Sequence, residues 1–273
     1  MLNTSSEITK SLGSSDIVVI NNEHVTASSI NIETPGSIFT ADYSRLGNDL
    51  RIDGQNGEVV FIENYFANND LPDLVAPSGG ILRGDIIKTL AGPETAGQYA
   101  QLGAQQGVEA IGQVESISGA SSVQRTDGTV EQLQIGTKVF QNDLLITENG
   151  STLSVTFLDG TIFTLSESSR MVLSELVYTP EGDNNSALFD LVEGGFVFIA
   201  GEVAKTGDME VKTPVATMGI RGTTVKVNIE SRDGNVIVEV SLNTDPDGTI
   251  GNFTITSLSG EVIADVTAVE TKW

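Results

Sequence analysis

The chain of 273 residues carries 14 Lys+Arg against 37 Asp+Glu, a formal charge of −23, with no cysteine and a single histidine. That balance argues against a basic stripe for DNA or RNA and against docking on anionic lipid. The absent cysteines exclude disulfides and Cys-based zinc sites, and His24 alone cannot build a multi-histidine metal centre. Hydrophobic residues at 39% and charged residues at 19% are a globular composition. The length predicts two domains.

Residues 1–20 lack a basic stretch followed by a long apolar core, and Ile17-Val-Val-Ile20 is too short for a secretory signal. Export is expected to use a signal outside the N-terminal type. No segment approaches about 18 uninterrupted apolar residues, so no transmembrane helix is expected.

Asp-Gly steps at 53–54, 127–128, 159–160, 233–234 and 247–248 punctuate the chain, and those at 127, 159 and 247 continue as Asp-Gly-Thr before a β-branched residue. Asp-Gly suits the positive φ angles of a type I′ turn, and the β-branched residue restarts a strand. An all-β chain of short antiparallel strands and hairpins follows.

In residues 1–82 the strands are expected at Ile17–Ile20, Gly36–Thr40, Asp49–Ile52 and Glu58–Ile62, forming a small N-terminal β domain. The passages from Phe39 to Asp53 and from Gly57 to Phe66 read as a hairpin with aromatic ends. This region resembles the BapA-prefix-like module of large bacterial biofilm adhesins. Residues 83–111 read as a linker rich in Ala, Gly and Gln, with a brief helix over 84–90, capped by Asp85 and ended by Gly92-Pro93.

From Gly112 strands are expected at 113–117, 121–125, 130–135, 143–146, 152–157, 161–165, 171–178, 187–192, 195–199, 209–213 and 223–229. Burial of a dozen alternating side chains such as Leu153, Val155 and Phe157, at roughly 1.5–3 kcal/mol each, sustains a β core without metal or disulfide. Residues 230–273 continue as a C-terminal β extension.

The stretch Lys212-Thr-Pro-Val-Ala-Thr-Met-Gly-Ile-Arg-Gly-Thr-Thr224 sets Arg221 between Gly219 and Gly222. These glycines permit unusual backbone geometry or the close approach of a neighbouring strand. Arg221 is expected to project from a tightly packed turn. It either binds a carboxylate or phosphate of a partner, or pairs with Glu175, Glu193 or Glu202 and locks adjacent strands. Thr213, Pro214, Gly219, Arg221, Gly222 and Thr223 are therefore the candidate structural or interaction motif.

Gly112-Gln-Val-Glu-Ser-Ile-Ser-Gly119, Ile135 to Thr147, Gly150 to Thr161, Leu191-Val-Glu-Gly-Gly-Phe-Val-Phe198 and Thr213 to Thr223 resemble, in order, the motifs of the FecR domain. The resemblance covers about residues 112–227, within a domain expected over 112–229, and implies a twisted β-solenoid or sandwich-like fold with no catalytic residue. The family's best-known members are inner-membrane anti-sigma regulators.

Asn243, Asp245 and Asp247 occupy positions 1, 3 and 5 of a calcium-loop pattern with Gly248 at 6. Position 12 is Thr254 and not the bidentate Glu, so a plain hairpin turn is preferred to calcium. No P-loop, dinucleotide fingerprint or zinc-protease helix occurs.

The reading is of a non-enzymatic surface or envelope interaction module, the adhesin-like part or relative of a type I-secreted protein, with other proteins or cell-surface components as partners. The alternatives are a soluble periplasmic sensor of the FecR signalling type and a glycan-active enzyme.

Overall fold

The computed structural model describes residues 7–12, 15–21, 28–32, 37–94, 109–182, 184–206, 208–232 and 235–269. His24, Gly36, most of the Ala/Gly/Gln-rich stretch and the Asp233-Gly234 step lie outside these residues. The chain is all-β, and it divides into two units: residues 1–99 with 126–128 and 231–236, and the remainder. Among the described residues no helix is long and apolar enough to cross a membrane.

In the first unit the strands are β1 (Glu7–Leu12), β2 (Ser15–Asn21), β3 (Ser29–Asn31), β4 (Asp42–Leu46), β5 (Asp49–Asp53), β6 (Val59–Glu63), β7 (Asp73–Val75) and β8 (Ile81–Leu82). One sheet runs β1-β2-β6-β5-β4 and a second β3-β7-β8, with β2/β6 and β3/β7 parallel. Alternation decides which faces are inward: Leu50 and Ile52 on β5, and Val60 and Ile62 on β6, are all buried. The strand expected over 36–40 is absent, because residues 38–40 form a turn. Its contents still explain it: Ile38 and Phe39 are buried, and apolar burial alone does not demand a ladder.

The helix α1 (Gly84–Ala91) belongs to this unit rather than to a spacer, since it buries Ile86, Ile87 and Leu90. Its first N–H, on Gly84, donates to Asp73 Oδ1 at 2.9 Å. Asp73 thus takes the role expected of Asp85, whose carboxylate accepts from Ile86 N and pairs with Arg83.

The second unit contains β9 (Gly112–Ser118), β10 (Ser121–Gln124), β11 (Val130–Gln132), β12 (Lys138–Val139), β13 (Leu144–Thr147), β14 (Thr152–Phe157), β15 (Ile162–Leu165), β16 (Arg170–Val177) and β17 (Ser186–Ile199). After the one-turn α2 (Val203–Thr206) come β18 (Asp208–Lys212), β19 (Ala216–Arg221), β20 (Thr224–Arg232), β21 (Asn235–Asn243), β22 (Asn252–Ser257) and β23 (Val262–Val266), of which the last two residues of β20 and the first two of β21 count with the first unit. Residues 235–266 therefore continue the same sheets.

The 14-residue β17 organises this unit. Its first half pairs with β16 and, in parallel, with β18; its second half pairs with β15 and β20. One sheet thus runs β12-β9-β14-β15-β17-β20-β21, the other β11-β10-β13-β16-β17-β18-β19-β22-β23. The two halves meet at Gly194, whose φ of +97° and contact with Ser169 leave no room for a Cβ. The break falls between the two strands expected from the sequence, 187–192 and 195–199. Between the sheets Phe163 packs on Phe189 with ring centroids 4.8 Å apart, and on Phe198 at 4.7 Å. Phe157 joins them at 4.9 Å from Phe189. The arrangement is a sandwich in which one strand serves both layers.

The hairpin turns differ from the expected type I′. Asp159 is not at positive φ, whereas Gly160 is at +83°. Gly160 N donates to Phe157 O and Phe157 N to Thr161 O, the pattern of a three-residue loop closed by a glycine bulge. The same paired bonds recur around Gly57, Gly79, Gly248 and Gly260. At 53–57 the positive-φ corner is Gly57, not Gly54.

Candidate functional site

The stretch Lys212–Thr224 is built around a strand. Ala216–Arg221 is β19, paired with β18 on one side and β22 on the other. Thr213 closes the turn before it: its Oγ1 donates to Ala216 O at 2.9 Å and accepts from Ala216 N at 3.1 Å. Pro214 follows without an N–H to lose.

The two glycines play unequal parts. Gly219 sits opposite Glu210 and Thr254, and a Cβ there would meet nothing within 4 Å, so close approach does not require it. Gly222 has φ +57° and turns the chain out of β19. Its carbonyl is the tight spot, because a Cβ on Gly251 would overlap the Gly222 oxygen. Gly251 is thus the close-approach glycine that sequence reasoning missed; its neighbour is 29 positions away, and no local pattern reveals it. Thr223 is buried, and its Oγ1 has no hydrogen-bond partner among the described residues.

Arg221 is about half exposed at 53%. Its guanidinium reaches Asp208 Oδ1 at 3.4 Å and its own strand's Ile220 O at 3.2 Å. The carboxylate it reaches is thus Asp208, while Glu175 accepts from Ser186, Glu202 pairs with Lys205, and Glu193 pairs with Arg170. The register explains this, since Asp208 begins β18 beside the end of β19, whereas Glu193 lies directly opposite Arg170 on β16.

Arg170 fills the strand-locking role expected of Arg221. Its Nε lies 2.5 Å from Glu193 Oε1, and the two side chains are 11% and 18% exposed. Neither residue's local sequence announces this; it follows from the β16/β17 register.

A second ionic cluster lies at the centre of the Ile135–Thr147 motif. Asp143 is buried, accepting from Arg125 at 2.6 Å and from Phe140 N at 2.7 Å. Arg125 also reaches Glu131 at 2.9 Å and lies over the Phe140 ring. Burial pushes the Asp143 carboxyl up to about 6, a shift that Phe140 N–H and Arg125 oppose without overcoming. Four residues on, Thr147 donates to Ser166 O at 2.5 Å and accepts from Ser169 N at 2.9 Å. The Asp and Thr of this motif thus satisfy buried backbone groups.

The Asp-Gly-Thr at 159–161 is likewise structural. Asp159 accepts from Thr161 N and Oγ1 at 3.0 and 2.7 Å and from Val203 N at 3.3 Å. At the calcium-like loop, Asp247 accepts from Thr249 N and Oγ1 at 2.9 and 2.6 Å, which holds its carboxyl below the ordinary range. Asp245 Oδ1 accepts from Thr224 at 2.6 Å. Gly248 N donates to Asp245 O and Asp245 N to Thr249 O, so the segment after Asn243 has the bonds of a tight turn, but β21 and β22 on either side of it lie in different sheets and do not form the expected hairpin. Among the described residues no group of three or more His, Cys, Asp or Glu side chains gathers as a metal site.

Residues 143–244 match the family described as FecR protein. Two solved structures of a putative anti-sigma factor from Parabacteroides distasonis, at 2.50 and 1.65 Å resolution, are similar in part. They share 19% and 20% identity, with TM-scores of 0.29 and 0.28. In each case the match covers 46% of this chain and 60% of the other, so this chain spans about three-fifths of that protein's length. No curated protein matches.

Proposed function

We propose that the chain is a non-enzymatic regulatory interaction module of the bacterial envelope, a periplasmic sensor of the FecR kind that acts through protein partners. The FecR match over residues 143–244 carries the reading. The local chemistry is in keeping with it: Asp143, Asp159, Thr147 and the Arg170–Glu193 pair, the motif-bearing groups best able to do chemistry, are all committed to holding the fold. The surface-adhesin reading drew on the N-terminal passage, which the match does not reach, and it yields to the regulatory one.

Fractionation of the source bacterium together with deletion of the gene tests this. The expected result is a periplasmic chain whose loss alters signal-responsive transcription and leaves surface attachment unchanged. A chain found only in cytosol, or a deletion that changes attachment but not transcription, overturns the proposal.

A further inference from the structure

Among the described residues the second unit has four sheet edges, and three of them carry a device against strand pairing. β11 is three residues long and β12 two, with Lys138 on it. β23 is interrupted by a register shift that leaves Ile263 as the extra residue. Short strands, edge lysines and bulges are how folded chains blunt a row of unpaired backbone groups. The fourth edge is different. β21 is nine residues long, carries neither Pro, Lys nor Arg, and pairs with β20 alone among the described residues.

The stretch from Ile237 to Asn243 belongs wholly to the second unit. Val240 and Leu242 anchor it in the core, while Ile237, 39% exposed, and Glu239 face outward. Its outward charge is negative. Glu239 is the only ionisable residue on it, and the chain runs on directly into Asp245 and the exposed, ionised Asp247. On the positive side stand Lys226 and Arg232 of β20, and Lys205, whose ammonium is tied to Glu202 at 3.0 Å. A second copy is a poor occupant, since each carries −23.

We propose that β21 is a docking strand for an extended segment of another protein, apolar at alternate positions and basic where it faces Glu239 and the Asp245–Asp247 turn. Backbone hydrogen bonds to the open edge supply affinity, and the Glu239 contact supplies selection by charge. The inference rests on the regulatory reading for the identity of the partner as a protein, but the edge is tested separately.

The experiment uses the full chain and two short synthetic peptides of alternating Val and Thr, one with Lys and one with Glu at the central outward position. Amide hydrogen exchange should slow over 237–243 with the Lys peptide. The Glu peptide should bind about five- to tenfold more weakly, and Glu239→Lys, whose fold is checked by circular dichroism, should reverse the preference. Protection confined to β23, equal binding of both peptides, no binding, or concentration-dependent self-association protecting the same amides overturns the proposal. In cells, a Glu239→Lys chain that regulates as wild type does defeats the docking strand and leaves the regulatory reading standing. A wild-type chain without transcriptional effect defeats that reading instead.

Discussion

Gly219 and Gly222 flank Arg221 and look equivalent in the sequence, yet only one is held by its backbone. Gly222 at φ +57° is in the left-handed region, where a Cβ costs about 1–2 kcal/mol. Gly222→Ala should lower unfolding stability by that amount in urea titration. Gly219→Ala, entering open space in a strand, should raise it by about 0.5 kcal/mol. Gly251→Ala should cost more than either, because the added carbon meets a carbonyl rather than a movable side chain. Equal effects at 219 and 222 would contradict this ranking.

Asp143 gives a pH signature at the same scale. Its folded carboxyl is raised to about 6, above the unfolded value of about 3.9. The folded state then holds the proton more tightly, so this group's contribution is fully present below pH ~4 and is lost as pH rises through ~6. The change is on the order of 1–3 kcal/mol. Urea midpoints measured from pH 4 to 7 should show that decline in the wild type and a flatter profile in Asp143→Asn. A wild-type profile rising across the window would reverse the assigned shift.

Among the elements, the contrast between the two arginines is the most informative. Removing Arg170 leaves Glu193 largely buried without its cation, a loss of about 3–5 kcal/mol. The double replacement Arg170→Met with Glu193→Leu should recover most of it. Arg221→Ala, at a half-exposed pair, should stay within about 0.5 kcal/mol. Thermal melts of Arg170→Ala, the double replacement and Arg221→Ala beside the wild type check the set, and an Arg221→Ala loss as large as that of Arg170→Ala would restore the lock to β19.

These contrasts show what the sequence can and cannot convey. Period-2 alternation revealed β5, β6, β14 and β15, because their burial is set by their own residues. β19 was hidden: Pro214 before it, Gly219 within it and Gly222 after it mimic a turn, and only pairing with β18 and β22 makes it a strand. β3, β7 and β12 are two or three residues long, too short to show a period. Asp-Gly located the β5/β6, β10/β11 and β14/β15 hairpins but not their geometry, since the bond pattern around Gly160 depends on which residue takes the positive φ. Partners of Arg221 and Arg170 are facts of register, which no local spacing encodes. The family motifs were legible as Asp143, Thr147 and Gly194; that they serve burial, backbone satisfaction and a bend needed the coordinates.

For the whole molecule, the consequential feature is that β17 contributes backbone to both layers of the second unit. Neither layer is complete without Ser186–Ile199, and Phe189 on its first half packs against Phe163 from the other layer. The second unit should therefore unfold in one step. Exchange of amides in β13 and in β14, members of different layers, should report the same opening free energy, and Gly194→Ala should lower both together. Two separated exchange classes, one per layer, would refute this.

A strand of this kind acts like a shared axle. A partner that clamps one layer at its outer rim stiffens a ribbon continuous with the other, and a proteolytic nick between residues 186 and 199 would disable the pair at once, not one half of it.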